Sequence, residues 1–240
     1  AILDTRNPPA RSRRFWFNQI TASEDSWVAP QDFDACARPE LVVSPSDEEV
    51  MFFDGGKSDD ATGLVSCRMS DGLGSTLAMW QRPPGERGRG WLVPRHDVDQ
   101  TVAVAMETRN VVAFWGDPSH ALDDETEERF WDPMIDGWHR RWKERLRLWA
   151  VPGLSGHSIM WDMTSPARSS EFTAAAMVAA SEIGDGVLLH DGDARLRRHA
   201  HNAKRFPNRY GVSLWKGHRE SARKVDLAVC MVGARMLRRR

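Results

Sequence analysis

The chain has 240 residues, 41% of them hydrophobic and 28% charged, a composition ordinary for a globular protein and ample for one large core. No apolar stretch approaches the roughly 20 residues that a membrane helix needs, and no signal-peptide pattern opens the chain, so neither a membrane span nor an export leader is expected. The net charge of −1 conceals an asymmetry: residues 195–240 carry 14 Lys/Arg against Glu220 and Asp226, and residues 1–194 carry 19 Lys/Arg against 32 Asp/Glu.

A basic block beside an acidic body points to a polyanion-binding surface next to a cation-binding site, or, more plainly, to a solvated basic tail. The three cysteines, Cys36, Cys67 and Cys230, are widely spaced and form no CxxC pair. That argues against a disulfide framework and fits a reducing cytoplasm. The chain opens on Ala1 rather than Met, as a processed chain or a fragment would.

Residues 1–48 are rich in Pro, Asp and Ser without sustained periodicity and read as a linker, with one short helix near Phe15–Ile20. The ordered core is expected from Glu49 to the end. Val50-Met51-Phe52-Phe53-Asp54 reads as a buried strand ending in a carboxylate. Residues 61–69 alternate with period two, Ser70-Asp71-Gly72 is turn chemistry, and residues 75–81 form the returning strand. Arg82–Gly90 is a Pro/Gly/Arg-rich loop. Val98, Val102 and Ala105 mark a helix, and Val111–Gly116 is a second buried strand ending in Asp117.

Residues 123–143 begin acidic and end basic, as the helix dipole favours. Leu146, Leu148 and Ala150 alternate as a fifth strand. Phe172, Ala176, Ala179 and Ile183 define a further helix. Val187–His190 is a short extended piece, and residues 193–204 and 221–237 are helical. Three hairpin-connected strands followed by alternating helix and strand predict an α/β fold of the RNase H-like kind, a mixed central sheet flanked by helices. There the first and fourth strands are parallel neighbours, which would set Asp54 beside Asp117.

Strand-end carboxylates lie where open α/β sheets bind ligands. Asp54 before Gly55-Gly56 and Asp117 before Pro118 also suit turns. Side by side they suit a divalent cation, which prefers oxygen ligands, with the glycines leaving room for a phosphate. Asp226 falls on an apolar side of its helix with Cys230, Gly233 and Leu237. Helix-dipole preference explains a first-turn Asp but not its apolar company, and a buried carboxylate needs a partner.

Asp60, directly before the second strand, is a further candidate ligand. Gly56-Lys57-Ser58 fails as a phosphate-binding loop, because the required earlier glycine is Met51 and a strand follows rather than a helix. Lys57 could still meet a phosphate. His190, His199 and His201 lack the cysteine that would complete a usual zinc spacing. Arg195, Arg198 and His199 read either as DNA contacts or as a solvated helix face.

Phe53-Asp54-Gly55-Gly56-Lys57-Ser58-Asp59-Asp60-Ala61-Thr62-Gly63-Leu64-Val65 resembles the first nuclease motif of tailed-phage large terminase subunits. Trp115-Gly116-Asp117-Pro118 resembles the second motif, and Lys224-Val225-Asp226-Leu227-Ala228-Val229 the third. The run from His190 through Leu196, His199 and Asn202 is similar to one in terminases of actinobacterial phages. Arg13–Gln19 followed by Trp27 resembles the end of the packaging ATPase domain.

The resemblance implies the C-terminal nuclease half of such a subunit, without its ATPase half. It implies an endonuclease that cuts double-stranded DNA into genome ends during packaging in the host cytoplasm. Asp54, Asp117 and Asp226 would be catalytic ligands of two Mg²⁺ or Mn²⁺ ions, with Asp60 an accessory ligand. The basic residues Lys57, Arg195, Arg198, His199, Lys216, Arg219, Arg223 and Lys224 would hold DNA. Partners would be the portal protein, the small terminase subunit and the ATPase domain of the same polypeptide. Two other readings remain: a resolvase or transposase of the same fold, and a non-catalytic DNA-clamping or motor-docking module.

Overall fold

A computed structural model describes residues 25–218 and 221–240. A five-stranded mixed sheet organises them. Its strands are β1 (Glu48–Asp54), β2 (Thr62–Arg68), β3 (Leu73–Trp80), β4 (Asn110–Asp117) and β5 (Leu189–His190), in the order β4-β1-β2-β3-β5. β1 is antiparallel to β2 and parallel to β4, while β3 is antiparallel to β2 and parallel to β5.

The run Val50–Phe53 is apolar throughout because β1 is central and buried on both faces. Successive side chains alternate between two cores. Val50 and Phe52 join Val65, Cys67 and Trp115 on one face. Met51 and Phe53 join Leu64, Val111 and Phe114 on the other.

Helices α2 (Arg95–Thr108) and α3 (Asp132–Trp142) supply Val98, Val102, Met106, Ile135 and Trp138 to the second core. Helices α1 (Pro30–Ala35), α4 (Pro166–Gly184), α5 (Ala194–Asn202) and α6 (Asp226–Arg238) cover the first. Asp54 and Asp117 continue the Val50-Phe52 and Trp115 series, so strand parity assigns both to the face that carries α6.

The structure departs from the sequence reading in five places. Packing begins before Glu49: Trp27, Val28, Phe33 and Cys36 already belong to the core. The helix expected over 123–143 starts only at Asp132, because the Asp123 carboxylate accepts the N–H groups of Glu125 and Thr126 and draws the chain into a turn.

The expected fifth strand at 146–150 forms only an isolated bridge to β4, between Leu148 and Ala113. Pro152 and Gly153 then reverse the chain, so that Met160 bridges Gly116 further along the same edge. A hairpin of β6 (Lys204–Asn208) and β7 (Gly211–Trp215) was not anticipated. Finally, the last helix begins at Asp226 itself rather than at 221. The expected helix at Phe15–Ile20 and the Arg13–Gln19 segment lie outside the described residues.

Candidate active site

The parallel pairing of β1 and β4 ends in register, with Asp54 opposite Asp117. On its other side Asp54 pairs with Gly63 of β2. A side chain at Gly63 could not be accommodated. A Cβ there would stand 2.8 Å from Cys230 Sγ and 3.1 Å from Leu227 Cδ2, with the Asp226 carbonyl 3.7 Å away. This bare strand position seats the first turn of α6 on the sheet and brings Asp226 beside Asp54. Gly233 does the same one further step along α6, where a Cβ would meet the Phe52 ring at 2.4 Å.

Asp117 and Asp226 are buried and Asp54, at the end of its strand, is half-buried; loss of solvent is the largest influence on each. It raises Asp54 well above the ordinary carboxylate range, with Asp226, Asp117 and Asp60 adding like-charge repulsion. It raises Asp117 to about 7, against a hydrogen bond from the Met163 N–H to Asp117 Oδ1 of 2.9 Å. It raises Asp226 to about 7, again with Asp60 adding repulsion. Asp226 Oδ2 accepts the Val225 N–H at 3.3 Å. Among the described residues no three His, Cys, Asp or Glu side chains close on one point as a ready-made coordination shell.

Around this trio the other acids are already neutralised. Asp60 is bonded by Lys216 and, at 3.4 Å, by Lys224. Asp59 takes Lys224 Nζ at 2.8 Å, which holds its carboxyl below the usual range. Asp162, which sequence reasoning missed, adds repulsion at Asp117 and is paired with Arg129 at 2.5 Å. Asp162 sits in the segment that trails β4's edge, where no periodicity marks it.

Several predicted contacts go elsewhere. The glycines after Asp54 are demanded by packing in the Cβ direction: a Cβ on Gly55 would strike Trp131 at 2.5 Å, and one on Gly56 the Asp60 carbonyl at 2.3 Å. Thr62 Oγ1 staples the loop by accepting the Gly56 N–H and donating to the Gly56 carbonyl. Lys57 turns away to the Leu122 carbonyl at 2.7 Å and Asp124 at 2.6 Å.

Arg195 pairs with Asp193, the residue that caps α5. His199 is buried, and its Nδ1 accepts the Leu227 N–H at 3.0 Å, so it is not a DNA contact. Lys216 and Lys224 are engaged with the acids just named. Arg198 and Arg223 are exposed, as are Arg205 and Arg209 of the hairpin. Arg219 lies outside the described residues. The three histidines once weighed for zinc are separately occupied: His190 with the Phe33 carbonyl, His199 with Leu227 and His201 with Asp34.

No family model matches the chain. A gene 13 protein of Mycobacterium phage L5 is 34% identical over 246 residues, covering 97% of this chain and 38% of that protein, so the chain spans well under half the length of this relative. Among solved structures, the large terminase of bacteriophage HK97 has a TM-score of 0.60 at 14% identity, over 97% of this chain and 48% of that one. The large terminase nuclease of thermophilic phage G20c, solved with bound magnesium, has a TM-score of 0.54 at 12% identity, over 89% of this chain and 97% of that one. At these identities the likeness to the solved structures is one of fold.

Proposed function

For a chain with the fold of the phage large-terminase nuclease domains, we propose metal-dependent hydrolysis of the phosphodiester backbone of double-stranded DNA, the cut that makes genome ends during packaging. The observation that carries this reading is the position of the half-buried Asp54 between two buried carboxylates. Asp117 and Asp226 both raise Asp54, and the three arrive from β1, β4 and α6. Buried carboxylates that crowd one another call for a cation, and an all-oxygen donor set fits Mg²⁺ or Mn²⁺. Asp54, Asp117 and Asp226 would hold it, two ions on this reading. When bound, such ions supply Lewis-acid polarisation of the phosphate and lower the pKa of a water.

The protein's own groups prepare the site. The Met163 N–H fixes one oxygen of Asp117. Lys216 and Lys224 neutralise Asp60 and Asp59, and Arg129 neutralises Asp162, which limits the charge that a cation must balance. The exposed Arg198, Arg205, Arg209 and Arg223 would supply sequence-independent phosphate contacts. Asp60 stands ready as an accessory ligand once released from its lysines.

By the same resemblance this chain follows an ATPase domain in the same polypeptide. It would work with the portal protein and the small terminase subunit in the host cytoplasm. No helix of the described residues is long and apolar enough to cross a membrane. Plasmid DNA incubated with the chain is expected to be nicked and linearised in Mn²⁺ and spared in chelator. Asp54→Asn should lower the rate at least 100-fold, a loss of about 2.7 kcal/mol of transition-state stabilisation. Cleavage at the wild-type rate by Asp54→Asn would sink the assignment.

A further inference from the structure

Helix α6 starts without a side-chain cap of its own, since Val225 precedes it. Its second residue, Leu227, is fully buried, and the N–H there is one of the four that a helix leaves without an internal partner. Water cannot reach it, so another element must accept it. The acceptor is Nδ1 of His199 in α5, at 3.0 Å.

One turn later in α5, Asn202 Nδ2 donates to the Lys224 carbonyl at 3.0 Å. The two bonds clasp the main chain on either side of Asp226. Helix α5 is itself anchored: Asp193 accepts the N–H groups of Arg195 and Leu196, and Leu196 and Ala200 sit in the core. Among the described residues, no other element sends a side chain to hydrogen-bond the backbone of residues 224–227.

We propose that His199 and Asn202 are positioning residues that fix where the Asp226 carboxylate stands relative to Asp54. This rests on the reading of Asp226 as a cation-holding group. The pair acts at one remove: neither touches the carboxylate, and both hold the backbone that carries it. Outer partners of metal-holding side chains typically matter 10- to 100-fold in affinity or activity.

The test is Mn²⁺ titration of the 240-residue chain by calorimetry, alongside plasmid cleavage and a melting curve in chelator. His199→Leu removes the acceptor, whereas His199→Asn keeps an oxygen near the place of Nδ1. His199→Leu should weaken Mn²⁺ binding about tenfold or more. His199→Asn should recover most of that loss. Asn202→Ala should weaken binding severalfold with little change in the melting temperature.

A His199→Leu protein that melts earlier but binds Mn²⁺ with wild-type affinity would show a purely structural role and overturn the proposal. Should His199→Leu not fold, wild-type affinity in Asn202→Ala overturns it instead. If the wild type itself neither binds Mn²⁺ nor cuts DNA, the nuclease reading falls and this proposal with it. If the wild type does both and every variant binds equally, only the positioning role falls.

Discussion

Asp226 occupies the first turn of α6, where the helix dipole favours a negative charge, yet its carboxyl is pushed up to about 7. Burial outweighs the dipole. The sign of the consequence follows. A carboxyl raised in the folded state favours the protonated fold, so its contribution is intact below about pH 4 and is lost as pH rises through about 7. Asp226→Asn keeps an acceptor for the Val225 N–H and removes the titration. In chelator, the variant should therefore match the wild type near pH 4 and exceed its stability near pH 7.5. A gain of at least about 1.4 kcal/mol, one pKa unit, is expected from urea unfolding at the two pH values. Equal stability at both would refute the burial of an uncompensated charge.

His199 has the opposite sign. Burial, then Arg198 and Lys224, lowers its imidazole to about 4. A lowered base contributes stability that is complete above about pH 6.5 and is lost as pH falls through about 4. His199→Asn should flatten that acid limb, read as a smaller drop in melting temperature between pH 7 and pH 4.5.

Among the elements, the contact between α6 and the sheet is the most exacting. Gly233→Ala forces a methyl toward the Phe52 ring in a filled core. Overpacking of this kind costs about 1–3 kcal/mol, or very roughly 2–12 °C of melting temperature for a chain of this size. A melting temperature within 1 °C of wild type, by the reckoning of about 2–4 °C per kcal/mol, would show that α6 can slide without cost.

The elements that build the site were also the ones legible in the sequence. β1 and β4 are apolar on both faces and stop at an aspartate, so their type could be read from pattern, while their parallel pairing and the meeting of Asp54 with Asp117 followed from the RNase H-like topology that the element order suggested. The stripe of Asp226, Cys230 and Gly233 gave away the third acid. What stayed hidden depends on contacts between distant residues. Lys216 and Lys224 read as DNA ligands because nothing local announces Asp60 and Asp59 as their partners. The β6-β7 hairpin has Pro207 in one strand and few apolar residues, so its alternation is faint. Asp162 lies in an irregular segment whose place is set by β4's edge, and Asp123 took its local turn in preference to the helix its neighbours favoured.

At the scale of the whole molecule, the +12 of residues 195–240 is partly spent inside the protein. Arg235 and Arg239 pair with Glu182, Arg240 with Glu171, and Lys216 and Lys224 with the loop acids. What faces outward is a smaller set, and on the proposed nuclease reading DNA affinity should report it. Replacing Arg198, Arg205, Arg209 or Arg223 by Ala should each weaken binding alike on any sequence and reduce the slope of log affinity against log salt by about one. Replacing Arg235, which is buried, should leave that slope unchanged. Fluorescence anisotropy of a duplex across a salt series measures both.

The order in which the strands and α6 appear along the chain also sets a sequence in time. β1 through β4 complete the pairing of Asp54 with Asp117, while Asp226 waits for α6 to return across nearly the whole chain and dock on β1 and β2. Contacts of such long range form late, because the entropy of closing the loop comes before any gain. A refolding chain is thus expected to form its sheet before its site is complete. After dilution from denaturant, recovery of the sheet's far-ultraviolet signal should lead, and recovery of cleavage should trail. On the proposed nuclease reading, the interval between them is the time for which an incompletely folded copy leaves DNA uncut.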